Sequence, residues 1–136
     1  MNYFLDTNIC IYFLKGRYLS IVKKLQSYTP SQIKISTIVQ AELFYGVEKS
    51  QQKKKNLDAL HSFLAPFEII PFDTQAAKVY GEIRSLQEVK GKAIGPNDLL
   101  IASSVLAHSG VLVTNNIKEL SMIPQLKLEN WVFEAS

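Results

Sequence analysis

Short apolar runs alternate with longer stretches of helical periodicity along this chain, and that alternation sets its fold class. Tyr3-Phe4-Leu5, Ile33-Lys34-Ile35, Glu68-Ile69-Ile70-Pro71-Phe72 and Val111-Leu112-Val113 read as strands. Leu126-Lys127-Leu128 opens a last strand that runs to Trp131-Val132. Pro71 marks the third of these as an edge strand, because proline donates no ladder hydrogen bond. Helical patterns fill the gaps. A brief helix covers Thr7 to Leu14, and a second carries Leu19, Ile21, Val22 and Leu25. Ser36 caps a third that runs through Glu48, and residues 51–64 place Leu57, Leu60 and Leu64 at helical spacing. Asp73 caps a helix whose buried face is Ala76, Ala77, Tyr80, Ile83 and Leu86. Pro96 suits the first turn of another, with Leu99, Ala102, Leu106 and Gly110 behind it. Strands alternating with helices imply βαβ units, hence an α/β chain with a mostly parallel central sheet covered on both faces. In such sheets, ligand sites form beyond the carboxyl ends of the strands.

The chain has 136 residues, 47% of them apolar, which suits one domain over residues 1–136 with a substantial core. Its formal net charge of +3 permits a polyanionic partner without demanding one. The single cysteine, Cys10, excludes an intrachain disulfide and reads as a small buried hydrophobe. Asp6 interrupts the first apolar run and no basic segment precedes it, so the N-terminus does not read as a signal peptide. No stretch approaches the roughly 20 apolar residues of a membrane span. The expected location is the cytoplasm, with no membrane partner.

Three carboxylates stand out. Asp6 directly follows the first strand; on its own it reads first as a helix cap, the usual use of such a residue. Glu42 has Ile38, Val39, Tyr45 and Gly46 as its helical neighbours, so it lies on or beside a buried stripe, where an unpaired charge is costly. Asp98 falls in the first turn of a helix that is nearly all apolar or small through Ala107. The macrodipole favours an anion there, and so apolar a helix opens its N-terminus into an interior or a cleft. Carboxylates gathered in one pocket repel one another, and a divalent cation resolves that repulsion. Oxygen ligands of this kind suit Mg²⁺ or Mn²⁺. A cation so held activates water and stabilises charge on a phosphodiester. His61 and His108 lie in unrelated helices without ligand spacing and read as surface or packing residues. Lys49, Lys53, Lys54 and Lys55 could offset the pocket's repulsion of a nucleic acid, although a charge run of this kind is ordinarily a solvated helix face.

Four segments together resemble a PIN-domain ribonuclease of the VapC type. They are Leu5-Asp6-Thr7-Asn8, Ala41-Glu42-Leu43-Phe44-Tyr45-Gly46, Gly95-Pro96-Asn97-Asp98-Leu99-Leu100-Ile101-Ala102 and Leu112-Val113-Thr114-Asn115-Asn116, in the family's order and at its spacing. The resemblance covers essentially the whole chain. It implies a three-layer α/β/α fold and Mg²⁺- or Mn²⁺-dependent endonucleolytic cleavage of structured RNA such as tRNA. It also implies a homodimer and neutralisation by a cognate VapB-type antitoxin. Asp6, Glu42 and Asp98 match the family's acidic, metal-holding positions. Asn116 stands in the site where many PIN domains place an Asp, so the expected pocket carries three formal negative charges.

Two other classes compete. A phosphoacceptor or phosphatase-like domain using Asp6 lacks its second opening carboxylate, since Asn8 occupies that place. A non-catalytic RNA- or protein-binding module could share the same fold, but the three carboxylates argue against it. Finally, Ile9, Tyr12, Phe13, Leu14, Leu19, Ile21 and Val22, with Phe44 and Tyr45, offer more apolar surface than a small domain covers. They suggest a groove for an antitoxin segment.

Overall fold

The computed structural model describes residues 1–133. The strands are β1 (Tyr3–Leu5), β2 (Ile33–Ser36), β3 (Glu68–Ile70), β4 (Val111–Val113) and β5 (Lys127–Glu129). The helices are α1 (Thr7–Leu14), α2 (Leu19–Gln26), α3 (Thr37–Glu48), α4 (Lys53–Leu64), α5 (Thr74–Val89), α6 (Pro96–Ala107) and α7 (Ile117–Leu120). A short 3-10 turn at Pro30–Gln32 precedes β2. The strands form one sheet in the order β3-β2-β1-β4-β5, and all four pairings are parallel. Helices pack around it to give the three-layer α/β/α arrangement. No helix among the described residues is long and apolar enough to cross a membrane.

The central strands are apolar on both faces, as a sheet covered on two sides requires. Phe4 and Leu5 point to opposite faces of β1 yet both are buried, and all of β4 is buried. Each such Leu or Phe contributes about 1.5–3 kcal/mol when fully removed from water. The flanking strands β3 and β5 are half exposed, and β3 is the edge expected from Pro71. Lys34 and Glu68 face each other across β2 and β3 and pair at 2.7 Å. Gly110, between α6 and β4, meets the sheet at close range: a Cβ there would lie 2.6 Å from the Phe4 ring.

Several local expectations need correction. On α5 the buried positions are Ala76, Ile83 and Gln87, whereas Ala77 and Leu86 are exposed. Gln87 displaces Leu86 because its amide donates to the Met122 carbonyl at 3.1 Å, a bond available only on the inner face. Strand β3 ends at Ile70 rather than Phe72, since Pro71 cannot continue the ladder. Strand β5 ends at Glu129, short of Trp131. There the chain turns inward: Trp131 is fully buried, stacks on Tyr28 and donates its indole N–H to Glu129 at 2.7 Å. Helix α6 stops at Ala107, leaving Gly110 outside it. The four-residue helix α7 was not expected, because one turn carries too little periodicity to register.

Candidate active site

In this sheet the chain winds from β1 outward through β2 to β3, then returns to the other side for β4 and β5. The reversal lies between β1 and β4, where α/β sheets leave a crevice at their carboxyl ends. Asp6 and Thr114 are the first residues beyond those two strands. The Asp6 amide donates to Val113 O at 2.9 Å and the Thr114 amide to Glu129 O at 3.0 Å, so the ladder itself delivers both residues to the crevice. Asp6 is buried and is also the N-cap of α1, its Oδ1 accepting from the Thr7 amide at 2.8 Å. Its Oδ2 accepts from the Thr114 hydroxyl at 2.7 Å. Burial pushes the Asp6 carboxyl up from its ordinary value, Thr114 and Thr7 pull it down, and the charge of Glu42 adds to the rise.

Glu42 reaches the same crevice from α3, one turn and a half beyond the Ser36 cap. It is half-buried, and its two oxygens are held by different elements. The Thr7 hydroxyl donates to Oε1, and the Asn97 amide donates to Oε2 at 3.1 Å. Asp98 sits in the first turn of α6, behind Pro96. Its carboxyl is pushed up to about 6, first by burial and then by Asp6, Glu119 and Glu42, with Asn116 opposing the rise. Asp6, Glu42, Asp98 and Asn116 therefore come together at one end of the sheet.

Asn116 occupies the expected corner in an unexpected role. It stands at the N-cap position of α7 without a side-chain capping bond, and its side-chain amide donates instead to Asp98 Oδ2 at 3.3 Å and to Glu119 Oε2 at 3.4 Å. Glu119 is thus a fourth carboxylate at the site, and the three-charge pocket expected from the sequence is corrected to four. Glu119 Oε1 also accepts from the Gly95 amide at 2.9 Å, tying α7 to the loop before α6. Asn115 points elsewhere and accepts from Asn130 at 3.3 Å. Among the described residues none of the four carboxylates has a lysine, arginine or histidine within ion-pairing distance. Nor, among those residues, do three acidic, histidine or cysteine side chains form a ready cage for an ion. The donors that hold them are neutral hydroxyls and amides, which leaves their negative charge uncompensated.

The PIN-domain family model matches residues 3–121, a span that contains all four carboxylates. Ribonuclease VapC2 of Rickettsia felis is 49% identical over 132 residues, covering 96% of this chain and 98% of that protein. This chain belongs to the VapC-type toxin ribonucleases of the PIN-domain family. The tRNA(fMet)-specific endonuclease VapC of Salmonella typhimurium is 37% identical over 131 residues, covering 96% of this chain and 98% of that one. Among solved structures, VapBC2 from Rickettsia felis bound to a promoter DNA fragment aligns with a TM-score of 0.92 at 48% identity, covering 97% of this chain and all of that one. VapBC-1 from nontypeable Haemophilus influenzae aligns with a TM-score of 0.87 at 32% identity, covering 96% of this chain and 98% of that one.

For this VapC-type PIN domain, the sequence motifs contain Thr7, Asn97 and Thr114 but assign them no partner, and Glu119 lies outside all four motifs. A signal for Glu119 was present: it follows the Asn116 cap by three residues, the spacing at which a helix places two side chains on one face. The other three are ordinary cap and turn residues in sequence, and only the fold distinguishes them. His61 is exposed, while His108 packs near the Phe4 ring and lies 3.4 Å from Asp73. Cys10 is fully buried, and burial pushes its thiol up.

Beside Glu42 a groove of about 520 Å³ runs between α1, α3 and α4, floored by Ile11, Leu43, Val47 and Leu60 and flanked by Lys15 and Lys49. The apolar surface expected on the first helices is smaller than the sequence suggested. Ile9 and Ile21 are fully buried, Val22 is half-buried, and Tyr12, Phe13 and Phe44 are half-buried against the core, while Leu14, Leu19 and Tyr45 stay exposed.

Proposed function

We propose that the chain is a Mg²⁺- or Mn²⁺-dependent endoribonuclease that acts as the toxin of a VapBC-type pair, with a structured RNA such as tRNA as its substrate. The observation that carries this reading is the uncompensated cluster of Asp6, Glu42, Asp98 and Glu119. Burial first, and then three like-charged neighbours, raise the Asp98 carboxyl to about 6, and a cation would relieve that repulsion. Mg²⁺ keeps much of its water and binds through one or two carboxylates plus substrate phosphate, so a complete protein cage is not required. Asp6 and Asp98 would hold the ion, with Glu42 in support. When bound, the metal supplies charge to the phosphodiester and lowers the pKa of water. The protein's own part is positional. Thr114 and Thr7 hydrogen-bond Asp6 and oppose the rise that burial imposes on it, Thr7 and Asn97 orient Glu42, and Asn116 bridges Asp98 and Glu119. A tRNA substrate has support from the name of the Salmonella relative.

The same reading takes a VapB-type antitoxin as partner, in keeping with the VapBC complexes among the structural relatives, and a homodimer as the working form. The groove beside Glu42 suits an antitoxin segment with an apolar stripe, from which a basic side chain could reach the carboxylates and compete with metal. The deciding experiment assays purified protein on bulk tRNA with Mg²⁺, with Mn²⁺ and with EDTA. Cleavage should require the metal and stop with chelator; undiminished cleavage in EDTA would sink the mechanism. Sequencing of RNA ends after brief expression would locate the cut. Co-purification with the neighbouring gene's product tests the partner.

A further inference from the structure

Glu42 has two neighbours along α3, Tyr45 on the helix and Lys49 at its C-cap. Tyr45 follows Glu42 by three residues and Lys49 follows Tyr45 by four, so all three lie along one ridge. Tyr45 is 65% exposed, one turn from the half-buried Glu42. The Lys49 ammonium sits 5.0 Å from the centre of the Tyr45 ring, and Lys49 lines the groove that Glu42 also lines. Of the four lysines singled out in sequence, Lys49 alone lines that groove among the described residues. Lys53 is drawn off to Glu48 at 3.6 Å, and Lys54 and Lys55 are exposed on α4.

A lone exposed aromatic side chain needs no explanation. An exposed ring with a cation over one face and the other face open, next to carboxylates suited to cutting a polyanion, has the chemistry of a single-strand contact. Bases stack on aromatic faces whatever their sequence, and lysines meet the phosphates between them. We infer that Tyr45 is a stacking platform for a base flanking the cleaved bond, and that Lys49 contacts the adjoining phosphate. This inference rests on the ribonuclease reading and gives that site a direction: the strand leaves the carboxylates along α3, toward Lys49. Tyr45 and Lys49 are positioning residues, since they touch the substrate away from the reacting atoms.

The test measures binding of a short fluorescein-labelled single-stranded RNA of mixed sequence to the full chain in EDTA, which keeps the strand uncut. Tyr45→Ala should weaken binding about tenfold, while Tyr45→Phe, which keeps the ring face, stays within about twofold of the parent. Lys49→Ala should lower the slope of log affinity against log salt by about 0.7, the value for one phosphate of a single strand, and Tyr45→Ala should leave that slope unchanged. Equal affinity for Tyr45→Ala would overturn the inference. So would a Tyr45→Phe as weak as Tyr45→Ala, which would assign the effect to the hydroxyl. A change in the particle's solution mass on Tyr45→Ala, or loss of antitoxin binding with RNA binding intact, would reassign Tyr45 to a protein contact and overturn it as well. A parent protein that neither binds RNA here nor cuts it with Mg²⁺ would overturn the ribonuclease reading itself, and this inference with it.

Discussion

The Thr114 hydroxyl donates a 2.7 Å hydrogen bond to Asp6 Oδ2 between two neighbouring parallel strands, and the Thr114 Oγ1 itself accepts from the Asn116 backbone N–H at 3.0 Å. One fully buried threonine therefore links the acidic residue after β1 to the turn that carries Asn116 and Glu119. Thr114→Val keeps the shape and removes both bonds. A hydrogen bond to a charged group contributes about 1.5–3 kcal/mol, so the metal-dependent cleavage rate should fall by about ten- to hundred-fold. Thr114 also opposes the rise that burial imposes on the Asp6 carboxyl. The acid side of the pH–rate profile should therefore move to higher pH in Thr114→Val and return to the parent position in Thr114→Ser. A valine variant with the parent rate and profile would show that Asp6 needs no such support.

Asp98 makes the site a stability liability above neutral pH. Its carboxyl is raised to about 6 in the folded chain, above its unfolded value, so the folded form binds the proton more tightly. The stability this provides is present in full below the unfolded value near pH 4 and is lost as pH rises through about 6. Asp98→Asn should therefore melt higher than the parent at pH 8, with the gain shrinking as pH falls toward 4. Asp98 is half-buried and solvent screens part of the effect, so its sign and pH course are the readout. Mg²⁺ should raise the parent's melting temperature and not the variant's. Cleavage by Asp98→Asn should drop by orders of magnitude although the fold survives.

Asn116 ties two of the carboxylates together without adding a charge of its own. Its amide now bridges Asp98 and Glu119. Asn116→Asp replaces that bridge with a further negative charge. The metal-free protein should melt lower, while calorimetry should find tighter Mn²⁺ binding and cleavage intact or faster. Asn116→Ala should cost less activity than Asp98→Ala, because it removes a polar anchor rather than a charge. Unchanged or weaker Mn²⁺ affinity in Asn116→Asp would mean that residue 116 does not face the ion.

Gly110→Ala tests the packing beneath the site. The added methyl would lie 2.6 Å from the ring of Phe4, a buried side chain of the central strand. Overpacking of this kind costs about 1–3 kcal/mol. Thermal or urea unfolding should register it, and Phe4→Leu in the same background should recover part of the loss.

Much of this arrangement was legible in the sequence because it is written in local signals. Ser36, Asp73 and Pro96 open their helices where cap and first-turn chemistry places them, and β1, β4 and α1 have the expected bounds. Asp6, Glu42 and Asp98 could be singled out because each is a carboxylate at an element start or beside a buried stripe. What stayed hidden depends on contacts between distant segments. Gln87 is buried only because Met122 offers it a carbonyl, and Trp131 leaves the last strand only because Tyr28 and Ser20 await it. Thr7, Asn97 and Thr114 become site residues through partners 35, 55 and 108 positions away. No window along the chain contains that information.

The four carboxylates stand at positions 6, 42, 98 and 119, on four elements brought together only by the completed sheet. The central strand β1 is synthesised first, but its neighbour β4, which carries Thr114 and leads to Glu119, comes near the end of the chain. A ribosome must therefore deliver most of the protein before the last corner of the cluster can form. The order of synthesis thus makes the cluster a late event: no growing chain that ends before α7 holds all four carboxylates.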